Sequence, residues 1–238
     1  MQLYIDVNIL RQDVKSFRTE IISAMMPLSD VVFLSLTAVW GIIFIAYVLR
    51  AYVKTRSIQL ILWAAAAAAL LAVGSTLLLY GFEGLELPYT SIVGMFTPGL
   101  LAAGLISALI KKNFGVYYAV YTIMIAGIYA ATRAVGWGFA IALLLAIHVP
   151  SGLLLIFLPA IAAFRGIKPL ALTSIGGLLI SVAGVALATM AVGRPLLPVD
   201  LVLQIATQII FLSTLLITLG LIMGKTWIRE VKLWASSR

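Results

Sequence analysis

Residues 31–56 read VVFLSLTAVWGIIFIAYVLRAYVKTR, an uncharged apolar run followed by Arg50, Lys54 and Arg56. A run of about 20 apolar residues is what an α-helix needs to cross the hydrocarbon core of a bilayer. Lys and Arg close to a membrane span stay on the cytoplasmic side of the membrane. The stretch therefore predicts a membrane-spanning helix whose C-terminal end lies in the cytoplasm.

Apolar runs of this kind occur seven times along the chain. They cover residues 31–49, 58–80, 90–110, 114–132, 137–164, 170–192 and 200–223. Most connections between them are short, which favours antiparallel neighbours in an up-and-down bundle. The sequence predicts an all-α protein built as a seven-transmembrane-helix bundle.

Basic residues occupy every second gap between the apolar runs. The basic gaps and the tail hold Arg50, Lys54, Arg56, Lys111, Lys112, Arg165, Lys168, Lys225, Arg229, Lys232 and Arg238. The other gaps hold Glu83 and Glu86, then Arg133 alone, then Arg194 with Asp200. This asymmetry predicts an N-terminus outside the cell and a C-terminus inside it.

Two shorter segments flank the predicted membrane domain, residues 29–224. Residues 1–28 carry apolar side chains at helical spacing on one face and charged side chains on the other. That pattern is typical of an amphipathic helix, which could rest on the outer membrane surface, cover the outer mouth of the bundle or pack on the loops. Residues 225–238 form a basic cytoplasmic tail. We expect a multi-pass protein of the cell membrane.

The composition indicates the same class. Hydrophobic residues make up 63% of the chain and charged residues 10%, against about 25% charged residues in soluble domains. The net charge of +8 lies in short loops beside apolar runs, so the membrane explains it and direct contact with nucleic acid is not supported. The chain has no cysteine, which excludes disulfides, thiolate metal sites and cysteine nucleophiles.

Polar side chains share one face of the seventh apolar run. They are Gln204, Thr207, Gln208, Thr214 and Thr218, with Phe211 between them. Polar groups in hydrocarbon need partners and face the bundle interior or a wet cavity. The stripe predicts the lining of a pathway for water, ions or a polar substrate. The alternative is that these groups form hydrogen bonds between helices.

Two further residues are candidates for the same lining. His148, the only histidine, lies near the middle of the fifth run, where an ionisable side chain is a functional candidate by default. It could act in a proton relay or a ligand contact, or it could satisfy the carbonyl of Ala146 that Pro150 deprives of its helix bond. Thr97 precedes Pro98 and Gly99 in the third run, a sequence that predicts a kink or a partly unwound segment.

Other features have simpler explanations. Trp and Tyr residues toward the span ends, Trp40 and Tyr118 among them, fit the aromatic belt of membrane proteins. No carboxylate lies near a span centre, and no GxSxG, HExxH or phosphate-binding glycine loop is present. We therefore expect no enzymatic activity, no metal site and no cofactor.

In topology the chain resembles the microbial rhodopsins, which also have seven spans and an outside N-terminus. Their retinal is held as a Schiff base by a lysine in the middle of the seventh span. Here that position reads Ile210-Phe211-Leu212-Ser213-Thr214, and Lys225 lies at the cytoplasmic end. The resemblance covers the topology and no functional residue, so covalent retinal is not expected.

A second resemblance covers about the first 80 residues. The amphipathic segment runs into Pro27-Leu28-Ser29-Asp30, then into a Trp-containing first span, Val39-Trp40-Gly41-Ile42-Ile43, with a basic exit at Arg50. This arrangement is similar to polytopic inner-membrane subunits of conjugation and type IV secretion machines, including the archaeal DNA-import (Ced) system. The resemblance implies a membrane component of a DNA-transfer assembly in which partner proteins handle the DNA.

Three interpretations stay open at this point. The first is a non-enzymatic membrane protein that forms, or contributes to, a translocation pathway. The second is an opsin-shaped receptor or sensor with a noncovalent ligand near His148. The third is a structural anchor subunit of a larger complex. The expected partners are the lipid bilayer and other membrane subunits or further copies of this chain.

Overall fold

The computed structural model describes residues 26–85, 87–135, 139–191 and 198–226. In this part of the chain we find seven α-helices and no strand, so the all-α prediction is confirmed. The helices are α1 (Leu28–Thr55), α2 (Ile58–Tyr80), α3 (Pro88–Leu109), α4 (Lys112–Ala134), α5 (Ala140–Phe164), α6 (Leu170–Ala191) and α7 (Val199–Gly224), with a 3₁₀ turn at Gly81–Leu85. The predicted amphipathic helix and the tail beyond Thr226 lie outside the described residues.

Six of the seven helices, all but α6, are long and apolar enough to cross a membrane. The described side chains of α6 give an apolar stretch over Leu170–Gly184, while the helix itself continues to Ala191. Six such helices indicate a multi-pass membrane protein. A crossing by α6, the total of seven spans and the orientation of the chain stay predictions.

Tight turns hold consecutive helices side by side. Arg56 ends α1 in the left-handed conformation, with φ of 55°, and its N–H donates to the carbonyl of Tyr52. Only Arg56 and Ser57 separate α1 from α2. The connection between α5 and α6 turns at Gly166, whose φ of 106° favours glycine because other residues rarely adopt it. Such short connections make neighbouring helices antiparallel.

Each helix packs against the next, and α1 packs against α7, so the helices form a closed ring. Helix α3 also contacts α5 across this ring. The main apolar core contains Phe44, Leu60, Trp63, Leu109 and Leu221. These residues lie toward the helix ends that carry Arg50, Lys111, Lys168 and Lys225, which we call the basic end. The closest helix packing therefore lies in the half of the bundle next to the basic end.

The outer surface of the ring is strongly apolar. Large exposed apolar side chains occur on every helix; among the most exposed are Phe164 at 92%, Leu79 at 77% and Val53 at 67%. Soluble monomers rarely expose contiguous apolar patches larger than a few hundred Å². The surface is therefore suited to contact with lipid hydrocarbon.

Candidate functional site

The polar stripe of α7 lies partly against α1. The carboxylate of Asp30 accepts a 2.6 Å hydrogen bond from the Thr207 hydroxyl. Farther along, Trp40 donates through Nε1 to the Thr218 hydroxyl at 2.6 Å. The two pairs are 177 and 178 residues apart in the chain. This nearly constant offset shows that α1 and α7 run parallel and in register, and we call their contact the α1–α7 seam.

Asp30, Thr207 and Gln208 form one chain of hydrogen bonds at the seam. The Thr207 oxygen lies 2.6 Å from Oδ1 of Asp30 and 3.1 Å from Oε1 of Gln208. A hydroxyl has one hydrogen, so it cannot donate to both acceptors. The Gln208 amide is therefore turned so that its NH₂ donates to the Thr207 oxygen, while the Thr207 hydroxyl donates to Asp30. The buried carboxyl group thus has a partner.

Only some of the α7 residues that were predicted to line a pathway lie at the α1–α7 seam. Gln204 is exposed, Gln208 and Thr214 are partly buried, and Thr207 is fully buried. Beside the seam an apolar cavity of about 30 Å³ lies between α1, α2 and α7, which is close to the volume of one water molecule. The contacts of Thr207 and Thr218 are hydrogen bonds between helices, the alternative interpretation of the stripe. A pathway lined by α7 stays a prediction.

A second polar group lies where α3, α4 and α5 meet, near the middle of these helices. We call Tyr118, Tyr121, Thr122 and Ser151 the central cluster. The hydroxyls of Tyr118 and Ser151 are 2.9 Å apart, and Ser151 is completely buried. Thr122 is also completely buried and donates to the carbonyl of Tyr118 at 2.9 Å. The aromatic-belt assignment of Tyr118 therefore missed a contact between helices.

Helix α3 contains a proline, Pro98, next to this cluster and continues through it as one helix. Pro98 lacks an N–H, so the carbonyl of Gly94 has no backbone donor within the helix. The Thr97 hydroxyl is buried without a hydrogen-bond partner among the described residues. A Cβ at Gly99 would collide with the Thr122 side chain, so glycine allows α3 and α4 to approach closely. The predicted unwinding is therefore not seen, since α3 is helical on both sides of Pro98, and the proline lies next to an unpaired buried hydroxyl.

Helix α5 also contains a proline next to the cluster. Pro150 leaves the carbonyl of Ala146 without its helix donor. In the structure the Tyr121 hydroxyl donates to that carbonyl at 2.9 Å. Satisfying the Ala146 carbonyl was one role that the sequence predicted for His148. In the structure Tyr121 has this role instead. The polar face of α4 could have been recognised from the sequence, because Tyr121 and Thr122 follow Tyr118 by three and four residues.

His148 lies on the outer surface of α5. Its Nδ1 is 3.0 Å from the carbonyl oxygen of Leu144, one turn earlier. A carbonyl only accepts hydrogen bonds, so Nδ1 carries the hydrogen and Nε2 of the neutral ring is an acceptor. The side chain is exposed, which separates His148 from the central cluster although both occupy the same stretch of α5.

A third polar group lies at the end of the bundle opposite the basic end. Tyr129 donates to the Ser91 hydroxyl at 2.9 Å, and Arg133 lies 3.3 Å from the Tyr129 oxygen. Arg133 is exposed, whereas Tyr129 is buried. The arrangement fixes the end of α4 against the start of α3. These partners of Arg133 were not evident from the sequence, because Ser91 is 42 residues earlier and Tyr129 lies within an apolar run.

Within the described ranges, no three His, Asp or Glu side chains come together in a group that could hold a metal ion. Comparisons of the chain with protein families, curated proteins and solved structures found no match.

Proposed function

We propose that this chain is a non-enzymatic multi-pass protein of the cell membrane that contributes to a translocation pathway. The pathway passes the central cluster, where α3, α4 and α5 meet. The observation that carries this proposal is the buried Thr97 hydroxyl, which lacks a partner among the described residues and directly precedes Pro98 in α3. An unpaired buried polar group costs about 1–3 kcal/mol, so its presence needs a compensating role.

The chemistry of the cluster suits a polar solute or a file of water. Helices α4 and α5 contribute hydroxyl groups near mid-helix, and in α3 the proline at position 98 leaves the carbonyl of Gly94 without its helix donor. Transporters and channels present backbone oxygens near the bilayer midplane where a helix loses its hydrogen bonds. The close contact of Gly99 with Thr122 closes the route in the described arrangement. Separation of α3 from α4 would expose the Thr122 hydroxyl.

Cysteine accessibility tests the proposal directly, because the chain has no natural cysteine. In proteoliposomes, Thr97→Cys, Thr122→Cys and Ser151→Cys should react with small charged thiol reagents, and the reaction should reduce solute flux. Leu105→Cys, in the completely buried apolar core, is the unreactive control. If the three cysteines at positions 97, 122 and 151 do not react while Thr207→Cys and Gln208→Cys do, the pathway runs along α7 instead. Inert cysteines at all of these positions, with flux intact, would refute a pathway through this chain.

The assembly that we would test first is a DNA-transfer machine. The sequence of the first 80 residues resembles membrane subunits of such machines, and the sequence does not support direct contact with nucleic acid. In this proposal, partner proteins bind the DNA and this chain supplies part of the membrane passage. Co-purification from native membranes should recover those partners. Recovery of the chain alone, under conditions that preserve other membrane complexes, would argue against it.

A structural anchor subunit is the second candidate, and His148 favours it. An exposed imidazole acceptor within a lipid-facing helix gains a hydrogen bond when a neighbouring subunit covers it. His148→Leu should then weaken co-purification of partners without lowering the stability of the isolated chain, whereas Val149→Leu, at an exposed neighbour, should change neither. An opsin-shaped receptor is less favoured, because His148 faces out of the bundle.

A further inference from the structure

An open groove runs between α5 and α6 at the basic end. It has a volume of about 340 Å³ and is lined by Ala160, Ala163, Phe164, Lys168, Ala171 and Ser174. This volume falls within the range of about 300–1,000 Å³ that is usual for small-molecule sites. The groove lies outside the central cluster and outside the α1–α7 seam, so the proposed translocation pathway does not use it.

The groove follows from how α5 and α6 touch. Pro159 leaves the carbonyl of Leu155 without its helix donor. Gly177 packs onto that carbonyl so closely that a Cβ at Gly177 would lie 2.7 Å from its oxygen. One turn away, the Ser174 hydroxyl donates to the carbonyl of Ile156 at 2.7 Å. These contacts hold α5 and α6 together at the level of Leu155 and Gly177.

Beyond that level, toward the connection between the two helices, the facing residues are small. Ala160 and Ala163 on α5 and Ala171 on α6 leave space that larger side chains would fill. The ring of Phe164 is 92% exposed and extends one edge of the opening. The result is an apolar groove, open on the outside of the bundle where acyl chains of the bilayer lie.

Lys168 supplies a positive charge at the mouth of this groove. Its side chain is exposed, and it lines the groove together with the alanines. The described acidic side chains, Asp30 and Glu83, lie toward the opposite end of the bundle. The ammonium group of Lys168 therefore attracts an anionic group, and no carboxylate among the described residues lies beside it to repel that group.

We propose that the α5–α6 groove binds an anionic phospholipid, with an acyl chain along the alanine walls and the phosphate at Lys168. The bilayer surrounds this surface and provides the ligand at high local concentration. Basic pockets between membrane helices on the cytoplasmic side bind anionic head groups, since that leaflet carries negative charge. The predicted orientation of the chain places the basic end on that side.

Native mass spectrometry of the detergent-purified protein tests the site. Titration with phosphatidylglycerol and with phosphatidylcholine should show one preferentially retained phosphatidylglycerol on the natural chain. Lys168→Gln should weaken its retention about fivefold, the worth of one basic residue near an anionic surface. Ala171→Leu, which fills the groove, should abolish retention of both lipids. Lys112→Gln removes another exposed lysine of the basic end, on α4, and should leave retention unchanged.

The remaining outcomes separate this proposal from its alternatives. Equal retention by the natural chain and Lys168→Gln would overturn it, as would an equal loss with Lys112→Gln. Displacement of the lipid by glycerol phosphate alone would show a phosphate site without an acyl groove. A dimer that forms at the expense of lipid would make the groove a contact between copies. The comparison of the natural chain with Lys168→Gln still tests the proposal if Ala171→Leu fails to fold, because the Lys168 side chain is exposed.

Discussion

The carboxyl group of Asp30, in the first turn of α1, is hydrogen-bonded at 2.6 Å to the hydroxyl of Thr207 on α7. Only 2% of the Asp30 surface is exposed. A buried carboxyl group needs a partner, because moving it out of water is costly. Helices α1 and α7 close the ring, so this hydrogen bond lies at the point where the first and last helices meet.

We predict that Thr207→Val destabilises the protein by about 1–3 kcal/mol, the cost of leaving a buried polar group without its partner. This exceeds the average of about 0.6 kcal/mol for a hydrogen bond between membrane helices, because the group left behind is a carboxyl. The measurement is reversible unfolding in mixed micelles. Thr214→Val is the matched control, since the Thr214 side chain lies on the same helix but outside the Asp30 contact.

Asp30→Asn provides a second arm of this experiment. The amide oxygen can still accept from Thr207, and the change removes the charge that is costly to bury. We expect Asp30→Asn to retain stability and to reduce the cost of Thr207→Val when the two are combined. If both single variants were as stable as the natural protein, the hydrogen bond would contribute nothing to closure of the ring.

Tyr121→Phe should destabilise the protein only while Pro150 is present. The Tyr121 hydroxyl donates to the Ala146 carbonyl that Pro150 leaves open. Pro150→Ala restores a backbone N–H at position 150 and with it the helix donor. A double-mutant cycle in micelles should therefore give a coupling of about 0.6–1.7 kcal/mol, the range measured for membrane hydrogen bonds. Additive effects would show that Tyr121 acts through packing.

The predicted orientation can be checked with single cysteines at exposed positions. Glu83→Cys should label from outside the cell, and Lys112→Cys should label only after the membrane is opened. Glu83 is preferable to Gly84, because a Cβ at Gly84 would lie 3.0 Å from the carbonyl oxygen of Thr76. Labelling of position 83 from the cytoplasm, or of position 112 from outside, would reverse the assignment.

Reconstitution with all-trans retinal followed by borohydride should leave no covalent adduct. Lys225, the nearest lysine to the middle of α7, is the capping residue after that helix ends at Gly224. The other lysines of the described helices, Lys54 and Lys112, lie in the last turn of α1 and the first turn of α4, away from the middle of the bundle. A visible absorption band that Lys225→Ala abolishes would contradict this expectation.

The helix positions could be predicted from the sequence because the cause of each helix lies within its own stretch of residues. A backbone in hydrocarbon must satisfy its own hydrogen bonds, so an apolar run long enough to cross becomes a helix. The predicted run 58–80 coincides with α2, and the run 170–192 differs from α6 by one residue. The loss of one helix hydrogen bond at Pro98 is equally local, since proline removes its own N–H, whereas the unwinding predicted there does not occur because α3 stays helical on both sides. These features depend on no other part of the chain.

Partners across the bundle depend on distant residues, and only the tertiary structure decided them. Spacing placed Thr207 and Thr218 on one face of α7, but nothing in that spacing says that the face meets α1, whose residues lie 177 and 178 positions earlier. Asp30 precedes its apolar run and becomes buried only because α7 covers it. Tyr121 reaches Ala146 because α4 packs beside α5. Hydropathy sets where a helix lies in the membrane, whereas helix contacts set which neighbour each polar side chain meets.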